Sequence, residues 1–158
     1  AAGMRPISNV VDVTNDVMLA LGSPLHAFDL ARLEGGRIVV RRAAPGERLT
    51  TLDGHDRELT TDDLVIADAS KPVAIAGIMG GEASEVRPET TDLLLEAANF
   101  DPLTVLRTSR RLRLRTESST RWEKGVDPHL APPAARLATQ LLVELTGARW
   151  TGDTDVTA

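Results

Sequence analysis

The sequence predicts a single α+β domain in which a mixed or antiparallel, sandwich-like β core is flanked by helices. Two observations carry this prediction. Apolar residues recur at helical intervals near both ends of the chain, and six short apolar runs bounded by turn residues lie between them. Because these runs do not alternate with helices, the order argues against a doubly wound parallel sheet. A length of 158 residues without an internal repeat indicates one domain over residues 1–158.

Three helices are expected from apolar spacing and from residues that begin or end a helix. The first covers residues 8–21, between a serine or asparagine cap and a glycine. The segment SPLHAFDL that follows it is expected to be a loop. A second helix begins at Asp101-Pro102, since proline suits the first helical position. The last covers residues 133–145, whose apolar stripe indicates a helix that faces the core.

Six strands are expected between the first two helices. They cover residues 38–42, 49–52, 57–59, 64–67, 73–78 and 93–97. Glycine, proline and aspartate lie between these runs, as is typical of turns. The pair Asp53-Gly54 between the second and third runs is a strong hairpin signal.

The composition is that of an ordinary globular protein, with 42% hydrophobic and 26% charged residues. No apolar run approaches the roughly 18–20 residues of a membrane span, and the start lacks a signal-peptide pattern. We therefore expect no membrane partner and a cytoplasmic location. The absence of cysteine excludes disulfides and cysteine nucleophiles. The chain begins with alanine, with Met4 just inside, which suggests a segment of a longer multidomain protein.

Basic residues are concentrated in one stretch of an otherwise acidic chain. The formal net charge of −5 argues against a general nucleic-acid binder. Between Arg107 and Lys124, however, there are seven basic residues and only two acidic ones. This basic segment (residues 107–124) either contacts a phosphate backbone or pairs with the protein's own carboxylates.

General catalytic motifs do not occur, so the candidate residues come from loops and strand ends. There is no phosphate-binding glycine loop, no His-Glu-x-x-His and no Gly-x-Ser-x-Gly. The histidines at 26, 55 and 129 are too scattered for a metal site. His26 is either a packed structural residue or a functional one. Gly80-Gly81 either forms a plain turn or lets backbone approach closely.

A carboxylate and a group of hydroxyls complete the candidates. Glu96 lies near the end of an apolar run, and because burying an unpaired carboxylate is costly, it must be paired, exposed or functional. The segment LRLRTESSTRWEKGVDP is rich in hydroxyls, among them Thr116 and Ser118. These either bind the sugar-phosphate end of an RNA or cap a helix.

Taken together and in order, these segments resemble the B3/B4 editing domain of bacterial phenylalanyl-tRNA synthetase beta subunits. The resemblance covers about residues 3–150. It is carried by RPISNVVDVTN, PLHAFDL, VVRRA, TLDG, LVIAD, IAGIMGGEASEV, LLLEAANFDP, RTSRRLRLRTESSTRWEKGVDP and the last helix. The resemblance implies the fold of that family and hydrolysis of the ester of mischarged tyrosyl-tRNA-Phe.

The resemblance also implies roles for single residues. Glu96 matches the acid that recognises the tyrosine hydroxyl, and Gly80 matches a pocket-wall position where a side chain would block the amino acid. His26 matches a histidine near the scissile ester, where it orients or deprotonates the attacking water. Thr116 joins His26 and Glu96 in the expected catalytic group. Ser118, where the family often has alanine, is expected to line the substrate pocket.

Further implied residues lie toward the RNA end of the substrate. Thr14 and Asn15 match polar residues near the amino acid and the terminal adenosine, and Arg110, Arg111 and Arg115 are expected to contact tRNA. No metal or cofactor is expected for this domain. ATP and magnesium are expected only for the parent synthetase, whose alpha subunit is an expected partner through the rest of the beta chain.

Two other functions stay open at this point. One is a catalytically inactive tRNA-docking or structural module of the same synthetase. The other is a free-standing relative that acts on a different aminoacyl-tRNA. The joint presence of His26, Gly80, Glu96 and Thr116 favours the hydrolase.

Overall fold

The computed structural model describes residues 6–156, which contain four α-helices and eight β-strands. The helices are α1 (Asn9–Leu21), α2 (Pro102–Leu112), α3 (Glu117–Trp122) and α4 (Ala131–Thr146). The strands are β1 (Leu25–Asp29), β2 (Val39–Arg42), β3 (Arg48–Thr50), β4 (Asp56–Glu58), β5 (Leu64–Ala67), β6 (Pro72–Ile75), β7 (Met79–Gly80) and β8 (Leu93–Ala97).

Every strand pairing within residues 6–156 is antiparallel. One sheet has the order β2-β5-β6-β7, while β1 pairs with β8 and β3 pairs with β4. The β3–β4 hairpin turns at Asp53-Gly54, as the sequence predicts, since Thr50 lies opposite Asp56. The α+β class with an antiparallel core is therefore confirmed.

The helix ends follow their capping residues. The Ser8 hydroxyl accepts a backbone N–H hydrogen bond at 3.3 Å, and α1 ends at Gly22, whose φ is 74°. Pro102 begins α2 directly after its cap, Asp101. α4 ends before Gly147, whose φ is 71°. The three helices that the sequence predicts are confirmed.

Three short elements differ from the sequence prediction. The segment SPLHAFDL, expected to be a loop, contains β1, because Leu25–Asp29 pairs along its whole length with β8. Long-range pairing makes this strand, since alanine and aspartate are locally poor strand formers. The strand expected at 73–78 ends at Ile75, because the chain turns at Gly77 with φ 69° and returns as β7. α3 has no predicted counterpart, because six residues are too few to show a helical stripe.

Two apolar clusters hold the domain together. The larger lies among the sheets, α2 and α3, and it includes Phe28 and Trp122, which are 0% and 1% exposed. The smaller lies between α1 and α4 around Val17. The β1–β8 pair touches both clusters, because Phe28 belongs to the larger one while Leu25 and Leu95 pack against the smaller. This two-stranded ribbon is therefore supported from both sides.

Candidate active site

The β1–β8 pair brings His26 and Glu96 side by side. The two residues are direct partners in the register of these antiparallel strands. Directly opposed side chains project from the same face of a sheet, with Cβ atoms about 4.5–5.5 Å apart. The imidazole of His26 also packs edge-on against the Phe28 ring, with ring centroids 4.5 Å apart. Two titratable groups thus share one face of a well-supported ribbon.

Gly80 of β7 makes room for the His26 ring. A Cβ atom added at Gly80 would lie 2.5 Å from Cε1 and 2.7 Å from Nε2 of His26. Since such contacts are far inside van der Waals distance, a larger residue here would have to displace the imidazole. In this structure, the His26 ring therefore occupies the space that a side chain at position 80 would fill.

α3 holds the turn between β6 and β7 through two hydroxyl groups. The Thr116 hydroxyl donates to the carbonyl oxygen of Ile78 over 2.9 Å, and the Ser118 hydroxyl donates to that of Gly77 over 3.0 Å. Thr116 is also the cap of α3, because its Oγ1 accepts the Ser119 N–H at 3.0 Å. The hydroxyl hydrogen of Thr116 is thus committed to the backbone, and the residue fixes the turn.

One pocket of about 80 Å³ is lined by four of the expected site residues: His26, Gly80, Glu96 and Ser118. Phe100 and Trp122 close it on another side, with their rings edge-to-face and their centroids 5.3 Å apart. Since one water needs roughly 10–15 Å³, the pocket has room for several waters or for one end of a larger group.

Burial changes the proton affinity of both titratable groups in the pocket. It raises the pKa of the Glu96 carboxyl from 4.5 to about 7, and it lowers the pKa of the His26 imidazole from 6.5 to about 4. At neutral pH the imidazole is therefore uncharged and the carboxyl is close to half ionised. A neutral imidazole can accept a hydrogen bond from water, and a carboxyl near its pKa can accept or donate a hydrogen bond.

Thr14 and Asn15 belong to α1 and do not line this pocket. Thr14 is 8% exposed, and its hydroxyl donates to the Val11 carbonyl oxygen over 2.8 Å, a bond within the helix. Asn15 is partly exposed on the same helix. The structure thus does not bring these two residues together with the other four, and their contact with substrate stays a prediction.

The three arginines expected at the RNA differ in their surroundings. Arg111 forms an ion pair with the buried carboxylate of Asp63, and Arg115 forms one with Glu123 over 2.5 Å. Arg110 is exposed and has no ion-pair partner in the part of the chain that the structure describes. Two of these three arginines therefore pair with the protein's own carboxylates, and contact of all three with RNA stays a prediction.

The aromatic wall is the part of the site that sequence reasoning missed. Trp122 fits against the β6–β7 turn so closely that a Cβ atom at Gly77 would lie 2.9 Å from its Cδ1. Only 3% of the residues are aromatic, and both Phe100 and Trp122 flank polar segments singled out from the sequence. Because aromatic residues are so scarce, these two positions could have indicated from the sequence alone that Phe100 and Trp122 belong to the site.

Within residues 6–156, no three histidine, cysteine, aspartate or glutamate side chains are grouped in a way that could hold a metal ion. No helix in the same range is long and apolar enough to cross a membrane.

The similar proteins are longer, and each contains a segment that resembles this chain. It is 62% identical over 149 residues to the phenylalanine–tRNA ligase beta subunit of Moorella thermoacetica, a match that covers 94% of this chain and 19% of that protein. It is 58% identical over 157 residues to the beta subunit of Geobacter metallireducens, covering 99% of this chain and 20% of that protein. A third relative, from Symbiobacterium thermophilum, is 56% identical over 147 residues, which are 93% of this chain and 16% of that protein.

The chain thus spans about a fifth of the length of these relatives. It matches the model of the B3/4 domain over residues 1–147. That match covers nearly the whole chain, including every residue that lines the pocket. This chain belongs to the B3/4 domain family.

Proposed function

We propose that this domain removes tyrosine wrongly attached to tRNA-Phe by hydrolysing the ester that joins them. The observation that carries the proposal is the pairing of His26 with Glu96 at one pocket, where a neutral imidazole and a hydrogen-bonding carboxyl share one face of the β1–β8 pair. Membership of a domain family found in phenylalanine–tRNA ligase beta subunits supports the choice of substrate.

A carboxyl at Glu96 suits the discrimination that such a site needs. Tyrosine differs from phenylalanine by one hydroxyl, and an apolar pocket rejects an added hydroxyl by only about 100-fold. A site that hydrogen-bonds the hydroxyl rejects the analogue lacking it by about 10⁴–10⁵. Glu96 lies in a desolvated position, so a phenolic O–H would give it a partner, whereas phenylalanine would leave it without one. The pocket therefore favours the tyrosyl ester.

His26 suits the hydrolytic step. An aminoacyl ester is already activated, so a water held in position and a stabilised oxyanion supply much of the rate. Burial lowers the pKa of the His26 imidazole to about 4, so the ring is neutral at pH 7 and one ring nitrogen can accept a hydrogen bond that orients the water. The lowered pKa makes the ring a weak base, so orienting the water is its main role here. Thr116 contributes by holding the carbonyl of Ile78, and therefore the turn that carries Gly80, in place.

The wider assignment follows from the same proposal. The domain acts as part of the beta chain of a phenylalanyl-tRNA synthetase in the cytoplasm, with tRNA-Phe and the alpha subunit as partners. ATP and magnesium serve the synthetic reaction elsewhere in that enzyme, and this domain itself uses neither.

The test is a substitution at Glu96 in the assembled synthetase that contains this domain. Glu96→Ala should lower kcat/KM for hydrolysis of tyrosyl-tRNA-Phe by about 100-fold or more, because the phenol loses its acceptor. Attachment of phenylalanine should stay unchanged. Glu89→Ala is the matched control, since Glu89 is exposed and does not line the pocket.

The outcomes separate the proposal from its alternative. If the unsubstituted enzyme cleaves tyrosyl-tRNA-Phe no faster than buffer does, the hydrolase assignment is wrong and an inactive docking or structural module remains. If Glu96→Ala cleaves tyrosyl and phenylalanyl esters as the unsubstituted enzyme does, Glu96 is not the group that recognises the hydroxyl.

A further inference from the structure

A second concave surface lies beside the proposed pocket and is rich in positive charge. It has a volume of about 300 Å³, and the charged side chains that line it are Arg48, Lys71, Arg87 and Glu82. Three cations against one carboxylate form an unusual local balance in a chain whose net charge is −5. This surface, here called the basic groove, lies outside the basic segment at residues 107–124.

Two of the three cations in the basic groove are available to a ligand. Arg48 forms ion pairs with Asp56 and Glu58, at 2.8 and 3.5 Å. Lys71 and Arg87 are exposed and pair with no carboxylate of residues 6–156. The groove therefore presents two free cations, Lys71 and Arg87, against the single carboxylate of Glu82. Exposed cations of this kind are the side chains that contact phosphate.

The basic groove and the pocket are lined by neighbouring residues of the β6–β7 hairpin. Ala74 and Gly80, which line the pocket, lie directly opposite each other. Pro72, which lines the groove, lies two residues before Ala74, and Glu82, which also lines it, lies two residues after Gly80 in the short 3-10 helix Glu82–Ser84. The Gly81 N–H donates to the Val73 carbonyl oxygen over 2.7 Å, so the hairpin stays paired between the two concave surfaces. Residues two apart along an extended chain lie about 7 Å apart.

The β3 side gives the same result independently. Thr51 bridges Gly81, and the Leu52 N–H donates to the Gly80 carbonyl oxygen over 3.0 Å, so Leu52 lies beside Gly80. The Cβ position of Gly80 points at both His26 and Leu52, whose Cδ1 would lie 3.2 Å away. Arg48 and Leu52 are both exposed, whereas Leu49 and Thr51 between them are buried, so Arg48 and Leu52 lie on the same, outward side of this segment. The imidazole and the groove arginine therefore project on one side.

We propose that the basic groove binds phosphodiesters of the RNA 3′ end while the terminal aminoacyl group occupies the pocket between His26 and Glu96. This inference rests on the proposed function. It implies that the RNA strand runs along the β6–β7 hairpin and past Leu52 on its way to the pocket. The spacing of about 7 Å between lining residues of the two surfaces on β6, Pro72 and Ala74, is similar to the rise of about two stacked nucleotides. Phosphate contacts of this kind position a substrate without reading its sequence.

The test compares two double substitutions that remove equal charge. Lys71→Gln with Arg87→Gln removes the free cations of the groove, and Arg37→Gln with Arg149→Gln removes two exposed cations that line neither concave surface. Binding of a fluorescent single-stranded RNA 12-mer to this chain is measured by anisotropy over a salt series. The groove variant should bind about 10-fold more weakly, and the slope of log K against log salt should fall by about 1.4, the value for two phosphates. The control variant should match the unsubstituted chain.

A second measurement separates this inference from the proposed function. Hydrolysis is followed with tyrosine esterified to the RNA 12-mer and with tyrosyl-adenosine, which has no phosphodiester. The groove variant should lose kcat/KM about 10-fold on the RNA ester and keep it on tyrosyl-adenosine. Equal loss on both esters, unchanged RNA binding, or displacement of the RNA by millimolar inorganic phosphate alone would each overturn the groove as an RNA site. If neither ester is cleaved even by the assembled synthetase that contains this domain, the proposed function fails, and the binding result still decides the groove.

Discussion

The hydroxyl of Ser118 donates a hydrogen bond to the carbonyl oxygen of Gly77 over 3.0 Å, although the two residues belong to different elements and are far apart in sequence. Together with the Thr116–Ile78 bond, it fastens α3 to the turn between β6 and β7. The shape of the pocket therefore depends on hydroxyl groups that point at backbone and not at substrate. Four predictions follow from this and related contacts.

Removing the hydroxyl of Thr116 should loosen α3. Thr116→Val keeps the shape of the side chain but loses the bond to Ile78 and the cap to the Ser119 N–H. We expect a loss of about 1–2 kcal/mol in the free energy of unfolding, measured with urea. Thr116→Ser, which keeps the hydroxyl, is the control. Equal losses for valine and serine would mean that the hydroxyl does not hold the turn.

A side chain at Gly80 should displace the imidazole of His26. Gly80→Ala places a Cβ atom within 2.5 Å of the ring, and we expect a loss of about 1–3 kcal/mol in the free energy of unfolding. A double-mutant cycle with His26→Ala checks the cause, because removing the ring should relieve most of the cost. Additive losses in the cycle would show that the overlap is not the source of the effect.

The stability of the domain should depend on the ionisation of Glu96. Burial raises the pKa of Glu96 from 4.5 to about 7 in the folded state, so the folded state holds this proton more tightly than the unfolded chain does. The stabilisation from this group is complete below about pH 4.5 and is lost as the pH rises through about 7. Glu96→Gln cannot ionise, so relative to the unsubstituted protein it should gain about 1–3 kcal/mol between pH 5 and pH 8.

Urea unfolding at several pH values measures this difference. His26 gives the opposite slope, because burial lowers its pKa to about 4, and its contribution is lost as the pH falls from about 6.5 through 4. The Glu96→Gln protein should keep that acid-side loss, which serves as an internal control. Parallel stability curves for the two proteins above pH 5 would contradict the prediction.

Truncating Arg111 should cost far more stability than truncating its neighbour. Asp63 is 1% exposed, and besides Arg111 it accepts hydrogen bonds from the Thr60 N–H at 2.7 Å and the Thr108 hydroxyl at 2.8 Å. Arg111→Ala leaves this buried carboxylate without a cation, so we expect a loss of about 2–3 kcal/mol in thermal or urea unfolding. Arg110→Ala should lose less than about 0.5 kcal/mol, since Arg110 is exposed. Similar losses of stability for Arg111→Ala and Arg110→Ala would contradict a structural role for Arg111.

The parts of the fold with strong local signals were predictable from the sequence. α1 and α4 have apolar stripes and glycine ends, and the turn at Asp53-Gly54 has its own signature. β1 and β7 were not predictable in this way, because each exists through its partner strand. Local propensity carries no information about which distant strand completes the hydrogen bonds.

The same limit applies to the candidate site. No spacing rule in the sequence predicts that His26 lies beside Glu96. The family resemblance implied that both residues belong to one site, and the register of β1 and β8 shows that they are direct partners. The sequence could not predict the hydrogen bond that the Thr116 hydroxyl makes, because that bond depends on the direction of the carbonyl groups in the turn at Gly77. For the same reason, the basic groove had no linear signature, because its side chains come from β3, from the two ends of the β6–β7 hairpin and from the loop that contains Arg87.

The fit between Gly80 and His26 has a consequence for how this family can vary. The imidazole fills the space in which a side chain at Gly80 would stand, so the two positions share a single volume. A lineage that gained a side chain at the glycine would have to give up or reorient the histidine, and one that lost the histidine would release the glycine from its constraint. Across relatives, these two positions should therefore change together, and such paired change would mark the lineages in which the chemistry of the pocket has been lost or replaced.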